Sequence, residues 1–430
     1  MFRFASMSCA LFVLLFAAPI FCCGFRVCPS SSQVLQYGKC YRSCIPGFEG
    51  QGATCAVGGS CNENEDEDRN EASRCRSYIR GNGVNLVVCS PSSFNRGLAL
   101  TANHEQSFSM IILNDPQLVW WQDPRGGEQC KGEETCKQEN AEKEALHQVR
   151  AMNAIHELGV WPGSGEAISR PVGVIINGDL TQYFHPREFD LFERYYVLHS
   201  NSPHKDVLRY DLYLGLGNHD YANNVADCGW IREFQYLLRF TNGCAQKAVD
   251  TIKGMISCNT SDSFPATKVQ NFDSGSLAYS WDHENYHFIQ LHNYPTYEAS
   301  SIGISSSMEW LEEDLKLAVA AKRKIIVNLH DLGDHFHGSG RNTFFTMLKN
   351  ANVLAIFCGH VISNDNVGFQ GNIGSIPVFR GGHGGEVNRN RFLLVRFAPT
   401  YLRVIVVSSF GGVPRFEKVG DDTYDKTVYF

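Results

Sequence analysis

Five short apolar runs constrain this chain more than anything else in it, because each one stops on an Asp, Asn or His. The runs are 108–113 (FSMIIL), 172–176 (VGVII), 212–216 (LYLGL), 325–329 (IIVNL) and 353–357 (VLAIF). Each has the length and composition of a strand buried on both faces. The residues that follow are Asn114-Asp115-Pro116-Gln117, Asn177-Gly178-Asp179, Gly217-Asn218-His219-Asp220, His330-Asp331 and Cys358-Gly359-His360. In open α/β sheets, ligands bind in the crevice beyond the carboxyl ends of the strands. Asp, Asn and His at those ends are ligands for hard and borderline metal ions. One such tip alone reads as a loop residue or a helix cap; five in succession read as one shared site.

Helical periods lie between the runs. Leu146, Val149, Met152 and Ile155 share a face, and Pro186 opens a helix carrying Phe189, Phe192 and Tyr196. Ser306 and Glu309 have capping-box spacing ahead of Leu311 and Leu315. Strands that alternate with helices predict a layered α/β domain. Two stretches, 277–291 and 376–408, read as hairpins. The 430 residues allow two or three domains.

The ordered motifs Asp115-x-Gln117, Gly178-Asp179, Gly217-Asn218-His219-Asp220, His330 and Gly359-His360 resemble those of the calcineurin-like metallophosphoesterases. The resemblance covers about 105–410, and its most specific part is GNHD preceded by GD. It implies an α/β fold, a four-layer α/β/β/α metallophosphoesterase sandwich, holding two divalent metal ions (Mn, Mg, Zn or Fe). It further implies that Asp179 bridges the metals, that Asp115 binds the first, and that Asn218, His330 and His360 complete the second. The implied reaction is hydrolysis of a phosphate mono- or diester by a metal-bound hydroxide. His219 would be the general acid, with Asp220 orienting it.

Two positions depart from the family pattern. Gln117 stands where many relatives have His. The second His of GHxH is Ile362, which cannot bind a metal, so the first site is expected to be weak and to favour Mg²⁺ or Mn²⁺. His383, in the Gly-rich stretch Arg380–Gly385, is a candidate replacement or substrate contact, although a turn residue is the simpler reading. His292 is a second candidate for the substrate groove. His335 and His337 lie close enough in sequence to His330 to reach substrate. The alternative function is a secreted binding protein that keeps the fold and has lost turnover; Ile362 favours that reading and the intact GNHD opposes it.

The amino-terminal part has a different texture. Arg3 precedes an apolar run, Ala10–Ile20, that is short for a membrane span. It reads as a signal peptide over 1–23, with an uncleaved anchor as the other reading. Residues 24–100 are expected to form a disulfide-rich module and linker, ahead of a metallophosphoesterase domain at 105–425. Seven Cys fall between Cys28 and Cys89, which in an oxidising compartment implies disulfides. Excluding Cys9, Cys22 and Cys23 from the 16 Cys leaves an odd number; Cys358, ending an apolar run, is the expected free thiol. Asn259-Thr-Ser261 is a glycosylation acceptor. Net charge is −7, and six acids with one Arg between Cys61 and Ala72 supply most of it. That balance argues against a nucleic-acid partner. The expected partner is a phosphate ester, the expected location secreted or luminal, and the sequence sets neither oligomeric state nor substrate.

Overall fold

The computed structural model describes residues 106–118, 134–198, 206–226, 242–258, 261–361, 367–383 and 390–430, together with five short strands nearer the amino terminus. The expected signal segment, the acidic run, Asn259 and Ile362 lie outside the described residues. The chain divides into two compact units, Met1–Thr101 and Ala102–Phe430. In the first, β1 (Gln33–Gln36), β2 (Lys39–Ser43) and β3 (Thr54–Ala56) form an antiparallel sheet, and β4 (Cys75–Arg80) pairs with β5 (Val84–Cys89).

The second unit is built on two sheets. One contains β6 (Phe108–Asn114), β7 (Val174–Asn177) and β8 (Leu212–Gly215), mutually parallel. It is extended on the other side of β6 by the antiparallel hairpin β17 (Arg391–Phe397) and β18 (Tyr401–Ser408). The second runs β14 (Gly368–Ile373), β15 (Ile376–Arg380), β13 (Ala355–Cys358), β12 (Lys324–Asn328), β11 (Tyr286–Gln290), β10 (Tyr279–His283) and β9 (Val269–Phe272). Its central strands β11, β12, β13 and β15 are parallel.

An aromatic seam joins the sheets. The Phe108 ring of β6 stacks on Phe397 of β17 at 5.0 Å between centroids and meets Tyr286 of β11 edge-on at 5.6 Å. Trp281 of β10 stacks on Tyr213 of β8 at 4.1 Å and on Phe288 of β11 at 5.2 Å. Such rings each bury large apolar area, and their offset and edge contacts add to it. Helices cover the outer faces. Val149 and Met152 of α1 (Glu134–Asn153) and Phe189 and Phe192 of α2 (Pro186–Tyr196) are buried in the core of the first sheet. Leu311 and Leu315 of α4 (Met308–Ala320) and Phe344 and Leu348 of α5 (Gly338–Asn350) pack on Ile325, Val327 and Ile356 of the second. The result is the expected four-layer α/β/β/α order.

All five apolar runs are strands, and 277–291 is a hairpin with Tyr279 opposite Gln290. Two local expectations change. The stretch 376–408 is not one hairpin: β15 belongs to the second sheet, and β17 and β18 to the first. The capping box at Ser306 does not form. Ser307 is the N-cap of α4, while Ser306 Oγ bonds the Pro295 carbonyl. Between β8 and β9, α3 (Gly243–Cys258) buries Ala245, Ala248, Val249 and Ile252 in the core. Cys358 is a free, buried thiol, as expected, and burial pushes its pKa up to about 11. No helix among the described residues is long and apolar enough to cross a membrane.

Candidate metal centre

The strand ends are stitched together by backbone bonds before any side chain contributes. Asp115 N–H donates to Gly178 O (3.1 Å) and Gln117 N–H to Asp179 O (2.8 Å), tying the ends of β6 and β7. Gly359 N–H donates to His330 O (2.9 Å), tying β12 to β13. Five residues here have left-handed backbones: Asp115 (φ 47), Gln117 (φ 44), Asp179 (φ 50), His292 (φ 60) and His360 (φ 73). Side chains tolerate that region poorly, and such strain concentrates at functional sites. The glycines are required by close approach. A Cβ on Gly217 would collide with Asp179 Oδ1, and one on Gly359 would stand 2.9 Å from Asp115 Oδ2.

Four side chains from four strand ends converge. His330 Nε2 lies 2.9 Å from Asn218 Oδ1 and 3.2 Å from Asp179 Oδ2. His360 Nδ1 lies 2.8 Å from the same Asn218 oxygen and 3.3 Å from His330 Nε2. His330 Nδ1 faces the Asn177 carbonyl at 2.8 Å and so takes the ring hydrogen of the neutral form. Nε2 then points a lone pair at two oxygens and a nitrogen that also carry lone pairs. A proton can reconcile part of this. Burial opposes it, but Asp179 and Asp115 push the His330 pKa up to about 10. A cation reconciles all of it: donors bound at ~2.0–2.1 Å in a tetrahedron stand about 3.3 Å apart, close to the spacings found.

Asp115 adds a second carboxylate beside Asp179. The ligand atoms of Asp115, Asp179 and His330 lie within 4.8 Å of one another, and all three residues are buried. Burial first, and the neighbouring Asp179, push Asp115 up to about 8. Burial acts the same way on Asp179, but His330 and His219 override it and hold Asp179 near 2. Asp115 Oδ1 is buried without a hydrogen-bond partner. Adjacent buried carboxylates with an unsatisfied oxygen are costly unless a cation sits between them. The donor set therefore fits a metal centre: Asp179, Asn218, His330 and His360 on one side, and Asp115 with buried Gln117 on the other.

The other expected site residues fall in different places. His219 is half-buried; its N–H donates to Asp179 Oδ1 (2.9 Å), and its Nδ1 is 3.3 Å from Gln182 O. Asp220 was expected to orient that ring. Its carboxylate instead takes backbone N–H groups of Leu180, Thr181 and Gly217 at 2.9–3.1 Å, so it welds the GD loop to the GNHD loop. His292 was expected in the substrate groove. It is buried, its Nδ1 accepting Leu216 N–H (3.0 Å) and its Nε2 bonding Leu277 O (2.7 Å). Burial lowers its pKa to about 4, so it is a neutral brace. His383 pairs by its backbone with Asn114 as part of β16 (Gly382–His383), and its side chain lies outside the described residues. His335 lies beside His360, with ring centroids 5.2 Å apart. His337 stands at the N-cap of α5.

Two residues that shape the centre carried no assignment from the sequence. Asn177 orients His330 through its carbonyl and receives Gln290 Nε2 on its side chain at 3.1 Å. Asp331 gathers the loop after β12. Asn177 lies two residues before Asp179 and Asp331 directly follows His330, and that proximity was the available signal.

Two facing sheets whose parallel strands end in a shared Asp, Asn and His cluster define a phosphoesterase-type α/β/β/α domain. The family model for calcineurin-like phosphoesterases matches residues 147–364, and this chain belongs to that family. The family's site is dinuclear, and its activity is phosphoester hydrolysis. Among solved structures, the chain is similar to a dimetal phosphatase from Danio rerio (12% identity, 75% of this chain and 99% of that chain, TM-score 0.44). It is also similar to a phosphatase from Mycoplasma pneumoniae (10%, 76% and 94%, TM-score 0.31) and a 5'-nucleotidase from Candida albicans (12%, 67% and 46%, TM-score 0.34). No curated protein sequence matches the chain.

Proposed function

We propose that the chain is a secreted, metal-dependent phosphoesterase acting on a phosphate mono- or diester. The observation that carries this reading is the convergence of His330 Nε2, His360 Nδ1, Asn218 Oδ1 and Asp179 Oδ2. Two divalent cations in such a site would polarise the phosphate oxygens and acidify the attacking water. Asp179 joins the two sides, because Asp115 lies beside it on one and His330 on the other. His219 is placed by its bond to Asp179 and by the Gln182 carbonyl at Nδ1, so Nε2 is the nitrogen that hands a proton to the leaving oxygen. The first site is the weaker, since Ile362 offers no donor. Secretion is supported by the amino-terminal apolar run, the Cys density and the disulfide at Cys244. The test is metal content of the purified chain, with turnover of aryl phosphates, mono- and diesters, nucleotides and phospholipids in Mn²⁺, Mg²⁺ and Zn²⁺. Tight metal without turnover of any ester would favour a binding protein over an enzyme.

A further inference from the structure

The loop that follows β12 carries carboxylates that the centre described above does not use. Asp331 is buried and acts as the loop's anchor. Its Oδ1 accepts the N–H groups of Gly333 and Asp334, each at 2.8 Å. Its Oδ2 accepts His335 N–H at 2.7 Å and meets His335 Nδ1 at 2.9 Å. Two backbone bonds hold the other side of the turn: His330 N–H donates to His292 O, and Asp331 N–H to Asn293 O. The turn so pinned carries Asp334, 69% exposed, over the His360 ring, with Oδ2 3.1 Å from Nε2.

Asp331, His335 and His360 have the residue types of a cation site, and their donor atoms lie within 4.8 Å of one another. The bonding argues against a third ion there. Asp331 is filled by backbone donors and by His335, and His360 Nδ1 is committed to the Asn218–His330 cluster. An imidazole that offers the Nδ1 lone pair to a metal keeps its hydrogen on Nε2, and that hydrogen needs an acceptor. Asp334 is positioned as the acceptor. A carboxylate behind a ligating imidazole fixes the tautomer and ring orientation and raises its basicity.

We infer that Asp334 is a positioning residue for His360, held in place by the Asp331-anchored turn, and that it tightens the metal site formed by Asp179, Asn218, His330 and His360. This rests on the metal-centre reading above. It also predicts where an exposed substitution will act: on metal affinity, with folding untouched.

The test uses the full chain carrying Asp115→Asn, so that one site dominates, with Zn²⁺ or Mn²⁺ alone as probe against a competing chelator. Adding Asp334→Ala should raise Kd about 10–100-fold. Asp334→Glu should recover part of the loss. The melting temperature in excess chelator should be the same with and without Asp334→Ala. An unchanged Kd for Asp334→Ala, where His360→Ala weakens binding, would overturn the inference and leave the metal centre standing. Loss of an extra ion per chain on Asp334→Ala, beyond the one held by His330 and His360, would also overturn it, since Asp334 would then be a ligand. If His360→Ala and His330→Ala leave affinity intact as well, the metal-centre reading itself fails.

Discussion

Two histidines on the second sheet are each buried among carboxylates, and they end in opposite conditions. His287, on β11, has Nδ1 2.7 Å from Asp282 and Nε2 2.9 Å from Asp314. Arg323 neutralises Asp282 at 2.8 Å, and Ser280 and Asn271 each donate to Asp314 at 2.9 Å. Every hydrogen there has an acceptor. His330, at the end of β12, spends one nitrogen on a carbonyl and aims the other at three atoms that are themselves acceptors. Burial between acids is common to both. A surplus of lone pairs is what marks a cation site; a balanced count marks a structural ion network.

Substitutions should separate the two. At His330, Asp179→Ala, Asn218→Ala or His330→Ala should reduce hydrolysis to background and release metal. The chelated protein should still fold, because these side chains sit at strand ends. Wild-type rates in these variants would put catalysis elsewhere. Next in size is His219→Ala, expected to cost about 10²–10⁴-fold on esters with basic leaving groups and less on aryl phosphates. Equal losses on both would make His219 structural.

The smaller effects are on stability. Asp314→Asn should leave metal content unchanged and cost about 3–5 kcal/mol, since it strands His287 among unbalanced partners. Burial works against a charged His287, but Asp282 and Asp314 prevail and raise it to about 9. Its folded pKa is above the ordinary 6.5, so its contribution is complete below about pH 6.5 and disappears as pH rises through 9. Denaturation across pH 6–10, compared between wild type and Asp314→Asn, checks this. Asp115→Asn should do the reverse in chelator: it removes one of two crowded carboxylates, stabilises the metal-free protein by about 1–3 kcal/mol and abolishes turnover. A destabilised chelated variant would contradict the repulsion argument.

The strand ends were legible because a strand buried on both faces must be apolar along its length, which makes Asp179 or His330 stand out at once. Asn218 and His360 followed from the same pattern. What was hidden depends on three-dimensional neighbours. His292 and His330 both follow apolar strands, yet one faces backbone partners and the other faces ligands; spacing cannot tell them apart. Asp220 adjoins His219 in sequence, but the turn aims its carboxylate at backbone N–H groups across the loop. Ser306 and Ser307 are equivalent caps by sequence, and in the fold both hydroxyls turn to the Pro295 carbonyl, so neither completes the capping box. The split of 376–408 between sheets was invisible, because β15 and β17 are both short, mainly apolar strands and nothing in either names its partner.

Anomalous diffraction from crystals soaked in Zn²⁺, recorded at the zinc edge, would locate the cation itself. A peak is expected at ~2.0–2.2 Å from His330 Nε2, His360 Nδ1, Asn218 Oδ1 and an Asp179 oxygen. No peak is expected at His287. A structure with no ion among those four donors, at metal concentrations that support hydrolysis, would contradict the metal-centre reading.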